Sequence, residues 1–140
     1  MKILVAVDGS RYTKQMLAYI AAHDEWLGAE HSYTLLHVTS PLPQRAAAVV
    51  DRATIKAYHD GEVERVFKPI RAFFARQGLR AEFVSKVGAP ADEIATAATK
   101  GDYTLLMLGS HGHGALVSLV LGSVAAKVLA ACKTPVLLIR

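Results

Sequence analysis

Apolar residues in this chain cluster in five short runs, at 2–7, 33–38, 81–86, 103–108 and 135–139, and longer stretches with helical spacing lie between them. The first, second, fourth and fifth runs are nearly continuous rather than alternating, which predicts strands buried on both faces of a parallel sheet. Residues 13–27 place Met16, Leu17, Ile20 and Ala21 on one helical stripe, and Gly28 is positioned to end that helix. Over 51–77, Ile55, Val63, Val66, Phe67, Ile70 and Phe74 recur at helical spacing and Gly78 marks the stop; Gly61 and Pro69 weaken the pattern, and a kink or break is expected near Pro69. Residues 90–100 read as a short helix with proline in its first turn, Asp92 and Glu93 at its positive end and Lys100 near its close. A last helix is predicted over 124–131. Residues 40–50 hold two prolines without periodicity and read as a mobile surface connection.

Strict β-α alternation of this kind predicts a doubly wound parallel sheet with right-handed crossovers and helices on both faces. Such sheets bind ligands outside the carboxyl ends of their strands, where successive connections diverge to opposite faces. If the first strand neighbours the fourth, that crevice lies between Val7-Asp8-Gly9-Ser10 and Leu108-Gly109-Ser110. These are the two most polar, glycine-bearing strand exits in the chain.

Composition narrows the function classes. At 140 residues, 52% hydrophobic and 20% charged, the chain suits one packed domain spanning 1–140 and argues against disorder. The net charge of +4 is scattered over the chain, with no basic helix or aromatic-basic stripe, so a nucleic-acid partner is not expected. Cys132 is the only cysteine, which rules out an intrachain disulfide and fits a reducing compartment. The apolar start of the chain meets Asp8 and Gly9 too soon for a signal peptide, and no run approaches the roughly 20 apolar residues of a membrane span. A soluble, cytoplasmic protein without membrane association is expected.

The most informative segment is GSHGHGALVSLVLGS at 109–123, directly after the apolar run YTLLML. Gly109, Gly112 and Gly122, followed by Ser123, form the spacing G-x2-G-x9-G-S. Glycines at the end of a buried strand let backbone amides approach an anion without an intervening Cβ. A hydroxyl beside a helix start adds a further phosphate donor. No lysine follows the last glycine, so the pattern is not a P-loop.

With these motifs the chain resembles the ATP-binding branch of the universal stress protein family. The likeness runs through ILVAVDGS, LLHVTSP, VGAPADEI, LLMLGSHGHG, LGSVAAKVL and TPVLLIR. It implies an adenine nucleotide alpha hydrolase-like fold, with a five-stranded parallel sheet in the order 3-2-1-4-5 and pairing of two subunits through their last strands. It further implies that ATP, with Mg²⁺, contacts Ala6, Val7, Asp8, Gly9 and Ser10 at the first strand exit, the position of Asp8 lying near the ribose and phosphates. The backbone of Val38 would meet the adenine, while Gly109, Ser110, His111, Gly112, His113 and Gly114 wrap the ribose and phosphates. Gly122, Ser123 and Val124 would hold the outer phosphates. Many members carry arginine where His113 stands and another basic residue near Ser118, so this loop holds weaker cations than theirs.

Each candidate has a plainer reading. Asp8 can close a turn or cap the first helix, with Ser10 and Thr13 as rival caps; as a ligand it could hold Mg²⁺ alongside water. His111 and His113 have no acidic or cysteine partner nearby in sequence and suit phosphate or ribose better than a transition metal. His37 reads as a satisfied core or strand-exit histidine. Trp26, Phe67, Phe73 and Phe74 read as core or helix-face residues. No nucleophile elbow surrounds Ser10, Ser110 or Ser123, and catalytic residues are not expected. The expected function is a dimeric, ATP-dependent regulator of stress adaptation acting through a protein partner; the alternatives are a slow ATP hydrolase or a nucleotide-free interaction module.

Overall fold

The computed structural model describes residues 1–113 and 121–140. Strand β1 (Lys2–Ala6) leads to helix α1 (Arg11–Ala22), the short α2 (Asp24–Leu27) and strand β2 (Ser32–Thr39). The four-residue α3 (Gln44–Ala47) precedes the long α4 (Arg52–Arg76), then β3 (Ala81–Val87), α5 (Pro90–Lys100), β4 (Leu105–Gly109), α6 (Ser123–Ala131) and β5 (Val136–Ile139). All strand pairs are parallel, in the order β3-β2-β1-β4-β5. This is the doubly wound sheet expected from the alternation of runs.

Two apolar layers sandwich the sheet. On one face Ile3, Val5, Tyr33, Leu35 and Met107 pack against Met16 and Ile20 of α1 and against Val66, Phe67, Ile70 and Phe74 of α4. On the other, Leu4, Ala6, Leu36, Leu106 and Leu108 pack against Ala91, Ile94 and Ala98 of α5 and Ala125 and Val128 of α6. Burial of both faces explains the continuous apolar runs of β1, β2 and β4. Strand β5 differs from its expected two-sided burial. It forms the sheet edge, as the expected order 3-2-1-4-5 places it, and Val136, Leu137 and Leu138 remain partly exposed.

Three local expectations need correction. The first helix stops at Ala22 rather than running to Gly28, because the His23 ring intervenes. Its Nδ1 donates to the Tyr19 carbonyl at 2.8 Å, the acceptor a continuing helix would reserve for the His23 amide. That amide bonds Ile20 O instead at 3.3 Å. Second, α4 passes Pro69 without interruption. Proline 69 and Arg65, whose carbonyl loses its helix donor, both lie on the exposed side, while the α4 residues that hold the helix to the sheet face inward. Third, the 40–50 connection contains α3.

The end of α4 follows the expected glycine stop in detail. Gly78 takes φ +65, its amide bonds Ala75 O at 3.2 Å, and the Leu79 amide reaches back to Phe74 O at 3.0 Å. This is a Schellman closure, with Leu79 folded onto the core.

Tyr33 gives a pH signature to this end of the sheet. It is 2% exposed and its hydroxyl donates to Leu27 O at 2.5 Å. Burial, reinforced by the nearby Glu30 carboxylate, pushes its phenol from 10.0 up to about 12. The folded chain therefore keeps a proton that the unfolded chain releases between those values. Its contribution is fully present below pH 10 and is lost as pH rises toward 12. Wild type should lose about 2 to 3 kcal/mol across this window relative to Tyr33→Phe. Urea melts of both proteins at stepped pH check this, and parallel pH profiles would contradict it.

Candidate functional site

The crossover from β1 leaves toward α1 on one face, and the connection after β4 leads to α6 on the other. Their divergence opens a cleft of about 410 Å³ at the carboxyl ends of the strands, within the ordinary size of small-molecule sites.

One wall is the β1 exit. Val7 still belongs to the sheet through its amide, which bonds Leu36 O at 2.9 Å. Its carbonyl accepts from His37 Nδ1 at 2.8 Å. Asp8 begins the turn. Its Oδ1 accepts from the Ser10 amide at 2.9 Å and from Thr13 Oγ1 at 3.1 Å, and Thr13 Oγ1 in turn accepts from the amides of Asp8 and Gly9 at 3.1 Å. Ser10 caps α1 by accepting from the Tyr12 amide at 3.2 Å. The turn reading of Asp8 holds, through Oδ1, while Oδ2 faces Gly112 across the cleft. A Cβ at position 112 would lie 2.8 Å from that oxygen. Gly9, at φ +75, makes the turn and lets α4 approach, with Val66 Cγ2 3.3 Å from the place of a Cβ.

The opposite wall is the segment after β4. The Ser110 amide bonds Ile139 O of β5 at 2.7 Å, and the Ser110 carbonyl accepts from the Gly122 amide at 2.9 Å, which brings the two arms of the loop together. Gly109 lies against Tyr12, whose Cβ would stand 2.7 Å from a Cβ at 109. The two loop histidines diverge. Ser110 Oγ and His111 Nδ1 bond at 3.1 Å, and the His111 ring leans on Tyr12. His113 Nε2 instead donates to Asp8 O at 2.7 Å, tying the loop to the β1 exit. Beyond Gly122, which starts α6 with no side-chain cap, Ser123, Val124 and Ala125 line the cleft. The first amides of a helix have no acceptor within it, so this end of the cleft favours an anion.

The remaining surface is apolar. Leu36, Val38, Pro90, Ile94 and Leu108 line it, with Ser40 at the end of β2. The cleft therefore has a greasy recess at the β2–α5 side and amide-rich walls at the β4–α6 side.

Of the expected residues, Ala6, Val7, Asp8, Val38, Gly109, His111, Gly112, His113, Gly122, Ser123 and Val124 all line this one cleft. Gly9, Ser10 and Ser110 stand behind it: Ser10 and Ser110 are buried, at 5% and 3% exposure, and serve the turns. Gly114 and Ser118 lie outside the described residues. Sequence reasoning missed Tyr12, Met16, Leu36, Ser40, Pro90, Ile94 and Ala125, whereas Leu108 lines the cleft as the expected crevice between the β1 and β4 exits placed it. Leu36 could have been found, because alternation puts it on the same strand face as Val38. Pro90 was also within reach, as the first residue of a helix that follows a strand's carboxyl end.

The whole chain, residues 1–140, matches the model of the universal stress protein family. A curated relative from Thermus aquaticus, described as a universal stress protein in the QAH/OAS sulfhydrylase 3′ region, is 32% identical over 139 residues, covering 99% of this chain and 97% of its own. Among solved structures, UspA from Lactobacillus plantarum shares the fold with a TM-score of 0.80 at 20% identity, covering 100% of this chain and 97% of its own. The same fold appears in an Arabidopsis thaliana family protein with AMP bound (TM-score 0.70, 16% identity, 99% and 90% covered) and in an Archaeoglobus fulgidus protein in complex with dAMP (0.65, 23%, 100% and 98%). Strand order, the glycine-walled cleft and a match running from the first residue to the last agree, and the chain belongs to the universal stress protein family.

Proposed function

We propose that this chain binds ATP in the cleft between the β1 and β4 exits and acts as a nucleotide-dependent regulator in stress adaptation. One observation carries the reading. Gly109, Gly112 and Gly122 meet on one side of a single cleft of about 410 Å³ beside the uncapped start of α6, opposite an apolar recess. The AMP and dAMP complexes of the two neighbours support an adenine nucleotide as the ligand class. In this reading the base occupies the recess at Val38, and the phosphates run toward Gly122, Ser123 and Val124. Asp8 Oδ2 is the one carboxylate on the cleft wall among the described residues, and it suits a Mg²⁺ ion that otherwise keeps water and phosphate oxygens. When bound, that ion would supply positive charge to offset that of the phosphates.

The cleft is built to hold a nucleotide more than to turn it over. No lysine or arginine lines it among the described residues, whereas phosphoryl transfer needs concentrated positive charge around the outer phosphate. We read β5, the half-covered sheet edge, as the surface through which two subunits pair and from which a protein partner senses the nucleotide. A cytoplasmic location fits the single cysteine; among the described residues no helix is long and apolar enough to cross a membrane.

Thermal unfolding with ATP and Mg²⁺ tests the reading. At a ligand concentration a hundredfold above Kd, binding should add about 2.7 kcal/mol and raise Tm by several degrees. A Tm unmoved at millimolar ATP, ADP and AMP removes the proposal. Phosphate release measured on the same samples separates holding from hydrolysis.

A further inference from the structure

The cleft's own lining offers only two histidines as cations among the described residues, yet the ligand proposed for it is a polyphosphate. A stronger cation stands just outside. Arg65 of α4 reaches over the turn after β1, with Nη1 3.7 Å from the place a Cβ would take on Gly9. Gly9 is the neighbour of Asp8, so the guanidinium stands beside the β1 exit that forms one wall of the cleft.

Arg65 is held by Glu62, Nη2 donating to Oε2 at 3.1 Å, one helical turn back. That pair lies at the surface, with the Arg65 side chain 54% exposed. Paired charges so open to water contribute little, so exchanging one partner for another costs little. The surroundings link the pair to the cleft. The hydrogen bond and charge of Arg65 hold the Glu62 carboxyl below the usual range, with smaller contributions from His37 and His113. The guanidinium is held above its ordinary value by Glu62 and, more weakly, by Asp8 and Tyr58. Arg65 thus lies within the electrostatic reach of Asp8 on the cleft wall, and Glu62 within that of His113.

We propose that Arg65 is a ligand-exchanged cation of this cleft: it pairs with Glu62 when the cleft is empty and transfers its guanidinium to the outer phosphates of a bound nucleoside triphosphate. The proposal rests on the nucleotide reading above and adds a discrimination to it. Guanidinium forks onto phosphate in two parallel hydrogen bonds, stronger than a solvated surface pair. A monophosphate has no outer phosphate to offer, so Arg65 sets a preference for triphosphate over monophosphate. Glu62 acts as the competitor that holds the arginine in waiting.

The test is calorimetric titration of ATP and of AMP, each with Mg²⁺, into wild type, Arg65→Met and Glu62→Gln. Arg65→Met should weaken ATP about tenfold or more and leave AMP within about twofold. Glu62→Gln, which keeps the arginine and removes its competitor, should tighten ATP by about two- to fivefold with AMP unchanged. The proposal fails if Arg65→Met leaves the ATP-to-AMP ratio as in wild type, whether both affinities hold or both fall together. It also fails if Glu62→Gln weakens ATP. A wild-type protein that binds AMP but shows no preference for ATP overturns the role of Arg65 alone, whereas one that binds neither overturns the nucleotide reading and this proposal with it.

Discussion

Gly122→Ala is expected to abolish most nucleotide affinity while the sheet remains intact. The reason is close approach rather than backbone freedom. Gly122 sits at φ −62 and ψ 154, a conformation open to any residue. A Cβ there, however, would lie 2.8 Å from Ser110 O and 3.0 Å from His111 Cα, both main-chain atoms. Neither can yield easily, because the Ser110 amide is tied to Ile139 O of β5 at 2.7 Å and its carbonyl holds the Gly122 amide at 2.9 Å. The added methyl must therefore push the two arms of the loop apart, shifting the start of α6 and the amides that would face the phosphates. Overpacking of this kind costs about 1 to 3 kcal/mol of stability, which a domain of this class survives. The loss in affinity should reach roughly a hundredfold, equivalent to about 2.7 kcal/mol. Calorimetric titration beside a far-ultraviolet circular dichroism spectrum reads both effects. Wild-type affinity in a folded Gly122→Ala protein would show that this contact does not shape the site.

Phe74→Ala should behave in the opposite way, lowering stability and sparing the cleft. Phe74 is 2% exposed, and its ring meets Tyr33 edge-on at 5.3 Å, Phe73 at 5.7 Å and Phe83 at 6.4 Å. Truncation removes buried apolar surface and leaves a cavity among aromatic rings that are braced by one another. The expected cost is about 3 to 5 kcal/mol, with Tm falling by roughly 10 °C. In urea the midpoint should fall with the slope unchanged, since the surface exposed on unfolding stays nearly the same. Phe74 packs near the amino end of β2, where Tyr33 is the second residue of the strand, whereas the cleft lies at the carboxyl ends. Nucleotide affinity at low temperature should accordingly match wild type. A Tm change below about 3 °C would mean that the core relaxes around the gap.

The pair of variants separates two kinds of information in the chain. Continuous runs such as ILVAV and LLML, spaced by helical stretches, determine a parallel sheet by themselves, because only burial on both faces tolerates strands without polar alternation. The spacing of Gly109, Gly112, Gly122 and Ser123 likewise marked a turn of close backbone approach after β4, since glycine placement is a property of local backbone chemistry. Gly78 was legible as the end of α4 for the same reason.

Other features depended on contacts between residues far apart in the chain. The stop at Ala22 follows from a histidine ring taking a carbonyl, which periodicity does not encode. The passage of α4 through Pro69 depends on which side of the helix faces water. The half-exposed state of β5 follows from its place at the sheet edge, since a run of apolar residues reads alike at an edge or a centre. Likewise, nothing local says that Asp8 divides its two oxygens between a turn and Gly112, that Ile94 closes the apolar recess, or that Arg65 stands over Gly9. Local chemistry sets which segments can become strands, helices and anion-binding turns; strand order and helix packing decide which of them meet, because those choices are settled by burial summed over the whole molecule.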